Sequence, residues 1–291
     1  MSPIRASSSN AIQVALCQSV MTAGMEVDPR GMKTRELLGV SFELTNPRCR
    51  LTTIPGRNWS SALAVAEFLW HLRGDTSVAP LAFYTPRWKN FADPDGEVRG
   101  SCYGARIFGA TSGHRTQWHA VKSLLKRDIN SRRAVLNLRN EVDVSSETKD
   151  MSCVNSLQFI VRQGKLCAFA NMRSNDVIWG VPYDLFLFTC LQELMAIELG
   201  LELGSYYHYS ASMHVYERHY QLADLIKSSG CGQPDDGMMP RMSGTAEVCD
   251  LAEQEAAMRE HGKKYTGSNI GFAGVCAKFL SEHRKLAAIA A

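Results

Sequence analysis

Net charge is nearly absent from this chain: 32 Lys+Arg against 29 Asp+Glu leave +3 over 291 residues, with no long basic run. That argues against a general nucleic-acid surface and leaves any anionic partner to a few placed arginines. Clustered cysteine is missing too. The nine cysteines include no C-x-x-C pair and no paired Cys/His cluster. This pattern argues against structural zinc, any other metal centre or a disulfide scaffold, and for a reducing compartment. A clean apolar span is also lacking. The uncharged stretch Ala6–Met25 is studded with Ser, Asn, Gln and Thr, and only Arg5 precedes it. It fails as a membrane span and makes a poor signal peptide, so the expectation is a cytoplasmic protein with no membrane partner. There is no internal repeat and no low-complexity linker. What is present, 45% apolar residues in a chain of this length, suffices for a substantial core.

The periodicity predicts helices around Ala11–Met21, over Ser61–Leu72 with a serine start, over His119–Arg127, over Tyr183–Leu199 and over Arg218–Lys227. Tyr183–Leu199 is apolar nearly all round, the mark of a buried helix. Strands are predicted near Leu37–Leu44, Ala134–Leu138, Ser152–Val161, Lys165–Arg173 and Ser205–Ser212. Residues 81–104, rich in aromatics, Pro, Gly and Asp, read as irregular loop over a site. Beyond about Gly230 the chain turns polar and then ends in two helices. Strands gathered mid-chain with helices before and after point to a single α+β domain over residues 1–291, with an N-terminal helix region (1–25) and a variable C-terminal extension (230–291).

Within that frame, Cys153 stands out. With Gln163-Gly164 as a two-residue hairpin loop, Cys153 faces Ser174 and Val154 faces Arg173. A guanidinium beside a thiol favours the thiolate against a free pKa of about 8.5, which makes Cys153 a candidate nucleophile. A buried structural cysteine is the other reading. Arg30, Arg132, Arg133 and Arg173 sit in loops or at strand ends, where guanidinium forks can grip phosphate; ordinary surface charge explains each singly. Asp184 follows Pro182 into the first turn of a helix, where the dipole stabilises a carboxylate by ~0.3–1 kcal/mol, or else it accepts hydrogen bonds from a ligand amine or ring N–H. Glu67, in Ala66-Glu67-Phe68-Leu69-Trp70, is either an exposed helix position or an acid/base carboxylate. His214 and Tyr216 share a strand face and can bond one polar ligand group, or pair as satisfied core residues.

Taken in order, these segments resemble the thymidylate synthase superfamily from about Arg30 to His219. The anchors are Ala66 to Asp75, Ser131-Arg132-Arg133, Cys153, Arg173-Ser174-Asn175-Asp176, Gly180-Val181-Pro182-Tyr183-Asp184 and His214-Val215-Tyr216. The resemblance implies that fold: a mixed β-sheet flanked by helices, packed sheet to sheet in a homodimer. It implies that Cys153 adds to C6 of a pyrimidine nucleoside monophosphate and that C5 then attacks the one-carbon unit of 5,10-methylenetetrahydrofolate. Arg30 and Arg173 would hold the 5′-phosphate, with Arg132 and Arg133 reaching across from the partner subunit. Ser174 and Asn175 belong to the substrate site, His214 and Tyr216 to the sugar hydroxyl, and Glu67 to water and proton movement at the base. Trp88, Asp176, Trp179, Gly180 and Tyr183 would line the folate site.

Two departures refine that reading. The synthases carry asparagine where this chain has Asp184, and an ionised aspartate can only accept, which suits the amino edge of cytosine and rejects uracil O4. Ser152-Cys153-Val154 replaces the synthases' Pro-Cys-His, and Asn171 to Val177 together with Met213 to Tyr216 look closer to the deoxycytidylate hydroxymethylases. There an exocyclic methylene takes up water instead of hydride. The expected activity is therefore 5-hydroxymethylation of a cytidine 5′-monophosphate, dCMP ahead of CMP. A thymidylate synthase acting on dUMP, and a catalytically silent nucleotide-binding member of the fold, are the rivals.

Overall fold

The computed structural model describes residues 3–109, 115–141, 143, 147–230 and 237–290. Backbone contacts gather the chain into two compact units, each assembled from three separate stretches of sequence. Part of the expected C-terminal extension, residues 231–236, lies outside the described residues.

The first unit (Met1–Trp59, Cys153–Gln192, Glu202–Met239) is built on a mixed sheet. Its strands are β1 (Ile4–Ala6), β2 (Met25–Val27), β3 (Thr34–Leu44), β5 (Val154–Arg162), β6 (Lys165–Met172), β7 (Asn175–Asp176) and β8 (Glu202–Tyr216). β3 runs antiparallel to β8 from Thr34↔Tyr216 to Leu44↔Tyr206, and β8 lies parallel to both β6 and β7. Both long strands outrun the expected Leu37–Leu44 and Ser205–Ser212: the added Thr34–Glu36 of β3 pairs with His214–Tyr216 of β8, and the added start of β8 pairs with β6 at Lys165↔Glu202 and Leu166↔Leu203. The core includes the fully buried Phe42, Leu44, Phe159, Leu166 and Tyr206; truncating such an aromatic costs about 3–5 kcal/mol.

Helix α1 (Ser9–Ala23) starts where the Ser8 hydroxyl accepts the Ala11 N–H at 3.2 Å, and it lies against α7 (Tyr220–Ser228). Helix α6 (Gly180–Leu199) is apolar on every side, as expected, and Phe186, Phe188 and Leu191 are fully buried. It begins three residues earlier than the sequence suggested.

The β5–β6 hairpin turns where expected. Gln163 and Gly164 have φ 52° and 74°, both in the left-handed region that a type I′ turn requires. From Arg162↔Lys165 out to Ser156↔Asn171 the register matches the sequence-based one. Nearer the strand end it slips by one residue, and Val154 pairs with Met172 instead of Arg173. A bulge at Asn155 causes the slip, and the local kink changes what Cys153 faces.

The second unit (Ser60–Ser152, Glu193–Leu201, Pro240–Ala291) is mostly helical. It holds α2 (Ser61–Leu72), α3 (Ala79–Tyr84), a 3₁₀ turn at Pro86–Asn90, α4 (Tyr103–Phe108), α5 (Gln117–Arg127), the short β4 (Val135–Asn137), α8 (Thr245–His261) and α9 (Gly271–Ala290). Ser60 caps α2 by accepting from Leu63 N at 3.2 Å. The 81–104 stretch is less irregular than expected: Pro80 and Pro86 sit in first turns, where the missing N–H costs nothing and the fixed φ favours a helix start. Helices α8 and α9, the two expected at the C-terminus, pack on α2. At their centre Glu255, 1% exposed, is met by Arg73 at 3.0 Å, Arg259 at 2.9 Å and the Tyr84 hydroxyl at 2.9 Å.

Candidate active site

Cys153 immediately precedes β5, and the bulge turns it toward the end of β6. Its carbonyl accepts from Arg173 N at 2.9 Å, and Arg173 Nη2 lies 3.6 Å from its sulfur. The residue beside Cys153 is thus Arg173, where the ungapped hairpin had placed Ser174. A positive charge at that distance stabilises negative charge on the sulfur. Cys153 is half-buried, whereas Cys17, Cys49, Cys102, Cys190 and Cys276 are buried. Burial pushes the Cys17 thiol up to about 12, which makes it inert. Guanidinium and access together single out Cys153.

Ser174, Asn175 and Asp176 follow on the short β7, which pairs with the end of β8 at Asn175↔Met213 and Asp176↔His214. That pairing sets Ser174 Oγ 3.5 Å from His214 Nδ1. His214 is buried, which lowers its pKa; the nearby Asp176 and Glu36 act against that, and Arg173 reinforces it. Tyr216 packs edge-on to His214 with centroids 5.0 Å apart, and Arg218 lies 4.3 Å over its ring. Burial raises the Tyr216 pKa; Asp176 and Cys153 add to the rise, while Arg30 and Arg218 oppose it. Arg30 therefore belongs to the same electrostatic neighbourhood. It is exposed and held at φ 56°, a left-handed residue at the tip of the Asp28–Met32 turn. Cys153, Arg173, Ser174, Asp176, His214, Tyr216 and Arg30 thus gather at one end of the sheet.

Asp184 differs from its sequence-based placement. Because α6 starts at Gly180, Asp184 lies beyond the first turn, and the helix dipole does not account for it. Its side chain is half-buried, and desolvation pushes its carboxyl up to about 7 despite a hydrogen bond from Asn175. Gly180 is a packing requirement here: a Cβ at that position would fall 1.9 Å from Asn175 Oδ1.

Trp179 and Tyr183 lie nearly parallel, 13° apart with centroids at 6.4 Å, and Trp59 tilts against Tyr183 at 5.6 Å. Trp179 Nε1 donates to His219 Nε2 at 3.1 Å. The Arg57 guanidinium, 1% exposed, stacks 5.0 Å over the Trp179 ring and bonds the Ile178 carbonyl. Stacked aromatic faces of this kind suit a flat bicyclic ring, and Asp176 offers a carboxylate nearby, so these residues fit a folate. Among the described residues, no group of three or more His, Cys, Asp or Glu is arranged to hold a metal ion, and no helix is long and apolar enough to cross a membrane.

Four of the expected site residues belong to the second unit. Trp88 Nε1 donates to Glu67 Oε1 at 3.0 Å, and Trp88 also packs on Trp70 with centroids 6.0 Å apart. Glu67 is half-buried, so neither of its two sequence-based readings, solvated helix face or embedded acid, describes it fully. Arg132 and Arg133 are exposed just before β4. Sequence reasoning passed over Arg57, Trp59, Tyr206, His208 and His219. Only Arg57 carried a local signal, an arginine in the Pro55-Gly56-Arg57-Asn58-Trp59 turn.

The thymidylate synthase family model matches residues 13–231 of this chain. A curated relative, the deoxyuridylate hydroxymethyltransferase of Bacillus phage SP01, is 34% identical over 212 residues, 69% of this chain. The chain spans only 55% of that relative's length. Among solved structures, thermostable thymidylate synthase A from Bacillus subtilis superposes with a TM-score of 0.64 at 23% identity, over 76% of this chain and 84% of that one. The mixed sheet with its helices is that same α+β fold, and with three quarters of its length covered by the family model the chain belongs to the thymidylate synthase family.

Proposed function

We propose that the protein transfers a hydroxymethyl group to C5 of a cytidine 5′-monophosphate, dCMP ahead of CMP, as a homodimer whose residues 1–291 act as one catalytic domain in the cytoplasm. Methylenetetrahydrofolate, as co-substrate, supplies the one-carbon unit. The observation that carries the reading is Asp184, a carboxyl near neutrality, bonded to Asn175 and belonging to the same unit as the Cys153–Arg173 pair.

In this reading the Cys153 sulfur bonds to C6 of the base, and the Arg173 guanidinium supports the thiolate that attacks. Asp184 hands a proton to cytosine N3 and, as a carboxylate, accepts from N3–H and the exocyclic amine. That proton draws electrons out of the ring and makes C6 electrophilic. Arg30 and Arg173 hold the phosphate, with Arg132 and Arg133 supplied by the partner subunit. His214 and Tyr216 bind the sugar hydroxyl beside Ser174 and Asn175. Trp88, Asp176, Trp179, Gly180 and Tyr183 line the folate, and Glu67 orders the water that ends up as the new hydroxyl. C5, made nucleophilic by the sulfur on C6, bonds the one-carbon unit and gives up its proton, tetrahydrofolate leaves, water adds to the exocyclic methylene, and loss of the Cys153 sulfur from C6 completes turnover.

Incubation with methylenetetrahydrofolate and CMP, dCMP or dUMP in parallel tests the proposal. A cytosine nucleotide heavier by CH₂O, with no rise in absorbance from dihydrofolate, is the expected result. A mass gain of CH₂ with dihydrofolate would make the protein a methylating synthase. The name of the phage relative supports hydroxymethyl transfer but favours a second reading of the base, deoxyuridylate; the dUMP arm decides between them.

A further inference from the structure

Trp179 is held at its backbone, its face and its edge. Ile178 N donates to Asp176 Oδ1 at 2.8 Å, and the Ile178 carbonyl accepts from Arg57 Nη2, so the chain entering Trp179 is pinned on both sides. The Arg57 guanidinium, 1% exposed, also lies over the indole, 5.0 Å from the ring centroid, and covers one face. A ligand ring is left the other face. What remains free is rotation of the indole about its bond to Cβ, a broad torsion. His219 stops that rotation: Trp179 Nε1 donates to His219 Nε2 at 3.1 Å.

The direction of that bond is fixed by chemistry. An indole N–H can only donate, so His219 Nε2 accepts and the imidazole carries its proton on Nδ1. His219 is itself wedged. It ends the 3₁₀ turn Glu217–His219 that follows β8, and its ring stands edge-on to Tyr216, at 82° with centroids 6.4 Å apart. The turn that leaves Tyr216 thus ends on Trp179. Trp70 and Trp118 also give their N–H groups to acceptors, the Ser77 carbonyl and Glu198, but they are 0% and 4% exposed. There the bond satisfies a donor in the core. Trp179 is half-buried, so its bond also sets how the open part of the ring is presented.

We propose that His219 is a positioning residue for the co-substrate: by accepting from Trp179 Nε1 it fixes the plane of the indole against which the bicyclic ring of the folate stacks. This rests on the reading of Trp179 as part of the folate site. Stacking depends on how two ring planes meet, and an indole free to turn holds the matching plane for only part of the time. One net hydrogen bond of this kind is worth a factor of about three to ten in affinity for the co-substrate.

The test reads the bond by nuclear magnetic resonance of the indole N–H groups in the full chain with isotope-labelled tryptophan, the Trp179 signal being the one lost in Trp179→Phe. His219→Phe, which keeps a flat ring against Tyr216 but has no acceptor, should move that signal; His219→Gln, whose amide oxygen can accept, should bring it back. In steady state, His219→Phe should raise KM for methylenetetrahydrofolate by the same factor, leave KM for the nucleotide unchanged, and be rescued by His219→Gln. Added to Trp179→Phe it should change nothing further, whereas a merely structural role would weaken both substrates and persist in that background. Should His219→Phe fail to fold, His219→Leu takes its place. A Trp179 signal that loss of the acceptor leaves unmoved, or a folate KM raised by Trp179→Phe but not by His219→Phe, overturns the role of His219. A folate KM that neither variant moves would instead overturn the placing of the folate on Trp179.

Discussion

Cys153 and Cys190 each have a guanidinium nitrogen against the sulfur, Arg173 at 3.6 Å and Arg50 at 2.9 Å, yet only Cys153 reaches solvent. The acids divide the same way. Glu255 in the helical unit is met by two guanidiniums and a phenol, whereas Asp184 in the sheet unit is bonded by a neutral amide and its carboxyl rises to about 7. In each pair the functional groups are alike, and access and the charge of the partners separate them. A charged pair sealed in the interior is architecture. A half-buried group with a neutral or one-sided partner keeps a proton or a lone pair to exchange.

The sharpest break between the pairs is expected in turnover. Cys153→Ala should cut kcat on the order of 10⁴-fold or more, as loss of a nucleophile does. Cys190→Ala should leave kcat in place and cost about 1–3 kcal/mol of stability, because Arg50 loses a partner; denaturant titration beside initial rates reads both. Next, Asp184→Asn should move base preference from cytosine toward uracil nucleotides by roughly 10²–10⁴-fold in kcat/KM, since a site built around one hydrogen-bond pattern rejects the other strongly. Glu255→Ala should do the reverse: about 3–5 kcal/mol lost from stability, with base preference untouched in whatever folds. A Glu255 variant that changed base choice would break the comparison.

The smallest effect is in pH. Asp184 titrates near 7 in the folded protein and near 3.9 in an unfolded chain, so between those values the native state holds a proton that the unfolded chain has released. Stability therefore falls as pH rises from about 4 to about 7 and is level above, a contribution of roughly 1–3 kcal/mol. Asp184→Asn should flatten that slope, measured by denaturant midpoints at pH 5 and pH 8.

Much of this could be read from residue order because it depends on near neighbours. Gln163-Gly164 set the hairpin and so brought Cys153 to the end of β6, within one residue of its observed neighbour Arg173. The serine start read for Ser61–Leu72 is met by the Ser60 cap of α2, whereas α1, capped by Ser8, begins at Ser9, two residues ahead of the expected Ala11. The bulge at Asn155 left no mark, because a bulge depends on what both strands do and not on one. The early start of α6 was hidden by Gly180, a poor helix former kept there for the space that Asn175 needs. Strands β1 and β2, three residues each, are too short to carry a period. The surroundings of Asp184 were the least legible part of the site. Its partners come from β7 and β8, which meet only through a parallel pairing across a helical crossover. Nor could the two units be traced along the chain, since neither is a continuous segment.

The central claim is that Cys153 attacks a pyrimidine whose amino edge Asp184 accepts. The most direct measurement is kcat/KM for dCMP, CMP and dUMP with methylenetetrahydrofolate, in wild type and in Asp184→Asn, with product masses. The account predicts CH₂O added to a cytosine nucleotide by the wild type and a preference displaced toward dUMP in the variant. Turnover of dUMP alone by the wild type, or a preference that the variant leaves unchanged, would contradict it.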